Sequence, residues 1–158
     1  FLFSDSILNN ITLYNNKISE EEVWNSIKKV GAEKFINSLP GKLSFDVKER
    51  GGSLSVGQRQ LISCIRIMLY DPKIILLDEA TSSVDSDTEL MIQNAISEIL
   101  KNRTSIVVAH RLSTIKEVDK IIVIERGEIK EVGNHDQLLK KGGYYNKLYQ
   151  MQYKNISN

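Results

Sequence analysis

Three short apolar runs, unbroken and rich in β-branched residues, constrain the fold of this chain more than any other feature. They occupy residues 74–77, 105–109 and 121–124. Runs of this kind are typical of strands that are covered on both faces. Between the first two runs, Ile92, Ile96 and Ile99 share one face of a predicted helix that residues 86–89 cap. The order strand, helix, strand predicts a parallel sheet with right-handed crossovers, and therefore an α/β fold class.

The part of the chain before residue 70 predicts helices. Ser19 and Glu22 have the spacing of a capping box, in which each side chain bonds the backbone N–H of the other residue. The apolar face of the helix that follows is formed by Val23, Trp24, Ile27 and Val30. Gly31 is a predicted stop. A second box at Ser55 and Gln58 opens another helix, with an apolar face formed by Leu61, Ile62, Ile65 and Leu69.

The last part of the chain predicts a hairpin and then a helix. Arg126 and Gly127 are typical of a tight turn that leads into a strand over residues 128–132. A terminal helix is predicted from about His135, and this histidine is expected to have a structural role in its first turn.

Composition excludes several classes of protein. The 158 residues, 41% of them hydrophobic, are enough for one domain with a core. Twenty-one Lys and Arg residues against 20 Asp and Glu residues leave a net charge of +1, which disfavours nucleic acid as a partner. The single cysteine, Cys64, indicates a reducing compartment. No apolar run approaches the roughly 20 residues that cross a bilayer.

Ser55, Gly57 and Gln58 predict an anion site at the start of a helix. With Ser55 as the N-cap, free backbone N–H groups and the positive end of the helix dipole point outward beside the serine hydroxyl. Gly57 carries no side chain that would keep a phosphate from the backbone. A capped helix without any ligand would also explain Ser55 and Gln58, so this pattern alone leaves both interpretations open.

Asp78 and Glu79 directly follow the first predicted strand. Ligands of open α/β sheets bind beyond the carboxyl ends of the strands, so both carboxylates are predicted at the edge of a site. There Asp78 would hold Mg²⁺ and Glu79 would deprotonate an attacking water. His110 ends the neighbouring strand and would contact a phosphate or that water. Taken singly, a solvated strand end and a structural histidine explain these residues as well.

Taken together and in this order, the motifs resemble the ATP-binding-cassette (ABC) ATPases of the exporter type, over nearly the whole chain. Residues 54–58 are similar to the signature motif, residues 74–79 to Walker B with its catalytic glutamate, Ser83-Val84-Asp85 to the D-loop, and His110 to the switch histidine. The loop Glu49-Arg50-Gly51-Gly52 resembles the segment that exporters place against their membrane domains. Residues 3–7 and 10–11 match the segment after the Q-loop glutamine, and residues 133–138 match the C-terminal segment of exporters.

The resemblance implies a partial P-loop NTPase (ABC ATPase) fold. A helical signature subdomain over about residues 5–70 would precede the parallel-sheet half of the core over about residues 71–158. It also implies ATP and Mg²⁺ as cofactors, a location at the cytoplasmic face of a membrane, and ATP-driven pairing with a second nucleotide-binding domain, identical or not. Hydrolysis would separate the pair and so drive transport.

The resemblance also assigns roles to single residues. Ser55, Gly57 and Gln58 would contact the ATP that the partner domain holds, and Asp85 would lie at the dimer contact. The other three, Asp78 with Mg²⁺ and Glu79 and His110 as catalytic residues, would serve the nucleotide of their own domain.

The sequence departs from the family pattern in its phosphate-binding loop. No G-x-x-x-x-G-K-[ST] motif occurs, and the nearest candidate, Gly41-Lys42-Leu43, lacks a hydroxyl after the lysine and has Ile36 in place of the first glycine. Since this loop precedes the Q-loop in the family, we expect a domain truncated at its N-terminus, which alone binds ATP very weakly and is inactive. Val56 replaces the commoner middle glycine of the signature.

Two other functions share some of these motifs. A DNA-repair or chromosome-structure ABC ATPase has the same signature and Walker B, but the chain lacks the sustained heptads of the long coiled coils in those proteins. A non-catalytic docking remnant would suit the absent phosphate loop, whereas Glu79 and His110 argue against it. The cargo leaves no trace in these residues.

Overall fold

The structure, a computed structural model, describes residues 1–78, 85–108, 112–116 and 118–156. Within these residues the helices are α1 (Ile7–Thr12), α2 (Glu20–Val30), α3 (Glu33–Ser38), α4 (Val56–Tyr70), α5 (Ser86–Leu100), α6 (Leu112–Lys116), α7 (His135–Lys141) and α8 (Tyr144–Ile156). The strands are β1 (Ile74–Asp78), β2 (Thr104–Val108), β3 (Ile121–Glu125) and β4 (Glu128–Gly133). Short 3₁₀ turns form at Lys42–Ser44 and Glu49–Gly51.

The described residues form two compact units. The first contains residues 1–76 and 85–106, and the second contains residues 77–78 together with those described from 107 to 156. The first unit thus extends beyond residue 70, because α5 packs against α2 and α4. The division of the domain at about residue 70 stays a prediction.

The core of the first unit confirms the predicted helical faces. Val23, Ile27 and Val30 of α2 are buried, and Trp24 is half-buried. They pack with the apolar faces of α4 and α5, whose buried residues include Leu61, Ile62, Ile65, Ile92, Ile96 and Ile99. Cys64 also lies in this core, and burial raises the pKa of its thiol to about 12.

The ends of these helices follow the sequence with one exception. The capping box at Ser19 is confirmed, and Gly31 ends α2 with a positive φ of 75°. The cap predicted for α5 at residues 86–89 is wrong by one position, because Asp85 is the N-cap and its carboxylate accepts a hydrogen bond of 2.9 Å from the N–H of Thr88. An Asp caps a helix start at least as well as a Ser, which explains the shift.

The predicted parallel sheet is confirmed, since β1 and β2 are neighbouring strands joined through α5. The prediction that the apolar strands are covered on both faces is wrong for the described residues. Alternate residues such as Ile75 and Val123 are buried, so each strand pair packs on one face. The other face exposes Ile74, Leu76, Ile106 and Val108 in the first pair, and Ile122, Ile124, Ile129 and Val132 in the second. An apolar run predicts a strand with two apolar faces. It does not show whether the described residues include the layer that would cover the second face.

The second unit contains the predicted hairpin. Strands β3 and β4 are antiparallel, with Ile121 opposite Gly133 and Glu125 opposite Glu128. Both turn residues, Arg126 and Gly127, have positive φ angles, of 52° and 78°. These angles match the two-residue turns whose twist suits a hairpin.

The predicted terminal helix from His135 is wrong in its extent. It is two helices, because α7 ends at Gly142, whose φ of 68° suits glycine, and α8 begins at Tyr144. His135 therefore opens α7 and not the last helix. Its Nδ1 lies 2.6 Å from the hydroxyl oxygen of Tyr145, as expected for a structural histidine.

A buried carboxylate holds the hairpin to the last helix. Glu131 accepts a hydrogen bond of 2.8 Å from the backbone N–H of Tyr145, and its other oxygen lies 3.5 Å from the ammonium of Lys141. The backbone hydrogen bond from Tyr145 is the main reason that the pKa of Glu131 lies below its ordinary value. None of the helices in the described parts of the chain is long and apolar enough to cross a membrane.

Candidate functional site

The start of α4 has the reciprocal capping geometry that the sequence predicts. The Ser55 hydroxyl oxygen accepts a hydrogen bond of 3.2 Å from the N–H of Gln58, and the Gln58 side-chain oxygen accepts one of 2.9 Å from the N–H of Ser55. The N–H groups of Val56 and Gly57 belong to the first turn and have no acceptor within the helix. These two backbone donors lie in the same turn as the exposed Ser55.

The same helix start carries no negative charge of its own. The helix α4 is 15 residues long, and its first turn has no acidic residue. Partial positive charge at a helix N-terminus favours an anion. Ser55 and Val56 are exposed, whereas Gly57 is buried. Ser55 and Val56 are therefore the accessible part of this turn, and direct approach of a phosphate to the backbone of Gly57 stays a prediction.

The loop before Ser55 is a series of tight turns. Lys48, Arg50 and Gly51 all have positive φ angles, and the N–H of Leu54 donates to the carbonyl oxygen of Gly51 over 3.0 Å. Glu49 and Arg50 are exposed, but Gly51 is buried. The loop Glu49-Arg50-Gly51-Gly52 therefore presents charged side chains outward from a fixed backbone.

The other predicted site residues are placed in part. Asp78 is exposed at the end of β1. Asp85 is exposed too, and its pKa is lowered mainly by the backbone hydrogen bond from Thr88. Glu79, His110, Ser83 and Val84 lie outside the described residues. Asp78 belongs to the second unit, whereas Ser55, Gly57, Gln58 and Asp85 belong to the first.

Sequence reasoning missed two arginines that hold this region together. Arg59 donates to the carbonyl oxygens of Gly51 and Leu54, and Arg66 donates to those of Phe1 and Asn10. Their spacing of seven residues, two helical turns, was the available signal, because it places both on one face of α4.

Comparisons with known proteins now define the class. The profile of the ABC transporter family matches residues 1–82. The chain belongs to the ABC transporter family. It is 51% identical over 153 residues to the uncharacterized ABC transporter ATP-binding protein YknV of Bacillus subtilis, an alignment that covers 97% of this chain and 25% of the relative.

Two further similarities point the same way. The chain is 44% identical over 152 residues to the probable multidrug resistance ABC transporter ATP-binding/permease protein YheH of Bacillus subtilis, covering 96% of this chain and 23% of the relative. The solved structure of a bacterial Atm1-family ABC exporter with ATP bound superposes with a TM-score of 0.82 at 37% identity, over 96% of this chain and 26% of that one. The chain thus spans about a quarter of the length of these proteins, and it has the partial P-loop ATPase fold that the motifs predict.

Proposed function

We propose that the protein hydrolyses ATP as the nucleotide-binding domain of an ABC exporter, at the cytoplasmic face of a cell membrane, and couples hydrolysis to transport. Residues from about 5 to 70 would form its helical signature subdomain, and residues from about 71 to 158 would form the C-terminal part of its α/β core. The similarity to a solved exporter with ATP bound supports this proposal.

The observation that carries the proposal is the start of α4. An exposed serine N-cap, a first turn whose N–H groups lack acceptors within the helix, and the absence of a carboxylate there suit a terminal phosphate. In the proposed dimer, Ser55, Gly57 and Gln58 of one domain bind the ATP that the partner domain holds. ATP would then hold the two domains together, and its hydrolysis would release them.

The carboxyl end of β1 suits the other half of the reaction. Mg²⁺ is commonly held in proteins by one or two carboxylates and by phosphate oxygens of the substrate, so exposed Asp78 fits it. Within the described residues, no three His, Cys, Asp or Glu side chains form a metal cage. When bound, Mg²⁺ would neutralise charge on the phosphates. Glu79 would accept the proton of the attacking water, and His110 would steady the terminal phosphate.

Contacts with other domains complete the proposal. Asp85 would lie at the contact between the two nucleotide-binding domains. The exposed side chains of Glu49 and Arg50 would contact the transmembrane domains. No role for nucleic acid is proposed, because the net charge of the chain is +1.

By themselves the 158 residues are proposed to be inactive, because a G-x-x-x-x-G-K-[ST] loop is absent from the sequence. Calorimetric titration of the purified 158-residue chain with ATP and Mg²⁺ tests this point. The expected result is no measurable heat of binding, and a submillimolar dissociation constant would contradict it.

The decisive experiment changes the capping residue of α4 but keeps a side-chain oxygen that can cap the helix. Ser55→Asp keeps an N-cap acceptor, so α4 still begins at the same residue. It also places a carboxylate where the phosphate is proposed to bind, and we expect ATP hydrolysis by the full-length protein in lipid vesicles to fall about tenfold or more. Ser19→Asp is the matched control, because it makes the same change at the start of α2. Equal hydrolysis by both variants would contradict the proposal.

A further inference from the structure

Two arginines on one face of α4 donate to two other segments of the chain: Arg59 to the loop before Ser55, and Arg66 to Phe1 and to Asn10 of α1. Arg59 and Arg66 are seven residues apart and both side chains are half-buried. Neither arginine makes its contact through a carboxylate, since the acceptors are carbonyl or amide oxygens. A charged donor makes a stronger hydrogen bond than a neutral one. Because most of these acceptors are backbone carbonyl oxygens, each contact depends on where the backbone of the acceptor segment lies.

Arg59 holds the loop that precedes Ser55. Its Nη1 donates to the carbonyl oxygens of Leu54 at 2.6 Å and of Gly51 at 3.3 Å. Gly51 has a φ of 74°, and a Cβ atom there would lie 2.8 Å from Cδ of Arg59 and 2.9 Å from a methyl carbon of Leu2. The loop backbone is therefore packed between Arg59 and the first residues of the chain.

Arg66 holds those first residues. Its Nη1 donates to the carbonyl oxygen of Phe1 at 2.8 Å, its Nη2 donates to Oδ1 of Asn10 at 3.1 Å, and its Nε donates to the backbone carbonyl of Asn10. Asn10 is fully buried and also bonds both backbone groups of Phe3. Residues 1–6 are thereby fixed to the middle of α4.

The two loops are also bonded to each other. The N–H of Ile7 donates to the carbonyl oxygen of Phe45 at 2.9 Å, and the N–H of Val47 donates to that of Asp5 at 3.0 Å. The N–H of Ser53 in turn donates to the carbonyl oxygen of Val47 at 3.3 Å. Residues 1–6, residues 45–54 and α4 are therefore each connected to the other two by hydrogen bonds.

We propose that Arg59 and Arg66 are positioning residues that make both loops and the start of α4 move as one body. A displacement of either loop then moves Ser55 together with helix α4. This inference rests on the proposed function, in which the loop at residues 49–52 meets the membrane domains and Ser55 meets ATP. It adds the physical connection between the two contacts.

The two arginines differ in what can replace them. Arg59 reaches both carbonyls through one nitrogen, and a lysine ammonium can donate in the same way. Arg66 uses three nitrogens for three acceptors, and an ammonium cannot reproduce this fork. Arg59→Lys is therefore expected to preserve function, whereas Arg66→Lys is expected to behave like Arg66→Met.

The test measures KM and kcat for ATP in the full-length protein in lipid vesicles. Arg59→Met, Arg66→Met and Arg66→Lys are expected to raise KM roughly fivefold or more, because a poorly placed Ser55 weakens ATP-dependent pairing. Arg59→Lys is expected to stay within about twofold of the unmodified protein. The matched control is Arg103→Met. Arg103 bonds Asp71 and the carbonyl of Ile99, so its loss lowers the amount of folded protein and hence kcat, with KM unchanged.

Hydrogen–deuterium exchange on the same variants separates this inference from the proposed function. Arg59→Met should speed exchange in residues 51–54, and Arg66→Met should speed it in residues 1–6, whether or not the protein hydrolyses ATP. Unchanged exchange in these segments would overturn the inference, and so would an unchanged KM in an active protein. Absence of hydrolysis in the unmodified full-length protein would overturn the proposed function, and the exchange data would still decide whether the arginines hold the loops.

Discussion

Helices α2 and α4 begin with the same local geometry but with opposite electrostatics. In both, a serine oxygen accepts a hydrogen bond from the N–H three residues on, over 3.3 Å at Ser19 and 3.2 Å at Ser55. Glu22 closes the first box with a carboxylate, and Gln58 closes the second with an amide. The capping geometry therefore specifies where a helix begins and does not by itself indicate a ligand.

The charges around the two caps carry the functional difference. The first turn of α2 contains Glu20, Glu21 and Glu22, whereas the first turn of α4 contains no acidic residue. Carboxylates at a helix N-terminus satisfy its dipole and repel a phosphate. At α4 this interaction is left open for an external anion. The lack of carboxylates in the first turn, and not the capping box, therefore distinguishes a candidate anion site from an ordinary helix start.

The largest expected effect concerns the packing before α4. Gly51→Ala should lower the free energy of unfolding by about 3 kcal/mol, because the new methyl group meets Arg59 and Leu2 and the backbone has a positive φ. Gly31→Ala at the end of α2 is the control, since its φ is 75° and nothing lies within 4 Å of the new atom. It should cost about 1 kcal/mol. Urea unfolding of both variants measures the difference, and equal values would show that the loop before α4 is not tightly packed.

The next largest effect is expected when the third residues of the two helices, which complete the capping boxes, are exchanged. Gln58→Glu gives α4 the carboxylate that α2 already has, and we expect it to raise KM for ATP in the full-length protein about tenfold through repulsion of the phosphate. Glu22→Gln makes the reverse change far from the proposed contact and should leave KM unaltered. A KM for Gln58→Glu within about twofold of the unmodified value would remove the functional distinction between the two helix starts.

A smaller effect is expected from removing each cap. Ser19→Ala and Ser55→Ala should each lower the free energy of unfolding by about 1 kcal/mol, since each leaves one N–H without its acceptor. Thermal or urea unfolding should find the two costs similar, while KM for ATP should change only for Ser55→Ala. A cost at Ser55 several times that at Ser19 would mean that its hydroxyl does more than cap the helix.

The smallest effect is a dependence on pH. The backbone N–H of Ser19, and then its hydroxyl, donate to the carboxylate of Glu22 and lower the pKa of Glu22. This contribution is present above the unfolded pKa of about 4.3 and is lost as the pH falls through the lower folded value. Urea unfolding at pH 6 and pH 3 should therefore show a difference in stability between the unmodified chain and Glu22→Gln that is smaller at the lower pH. Gln58 does not titrate, so the cap of α4 should persist. A difference that is as large at pH 3 as at pH 6 would contradict this assignment.

Local patterns predict local structure well in this chain. The caps at Ser19 and Ser55, the stop at Gly31 and the turn at Arg126 and Gly127 depend on a few consecutive residues, and all are confirmed. The break at Gly142 was also local, but helical spacing on both sides concealed it. The exposed faces of the strand pairs depend on neighbouring layers, which the sequence of a strand does not report.

The candidate site divides in the same way. Ordered motifs identify the family and the start of α4. The contacts of Arg59 and Arg66 join residues as far as 65 positions apart, so only the folded chain reveals them. The roles of Glu79 and His110 rest on the family resemblance, since both residues lie outside the described part of the chain.

The buried thiol of Cys64 provides a reporter of breathing motions. With a pKa of about 12, roughly one molecule in ten thousand carries a thiolate at pH 8, and the surrounding core shields the sulfur. Alkylating reagents should react with Cys64 only when the packing of α2, α4 and α5 opens. The rate of this labelling would record how often each variant opens, without an introduced cysteine.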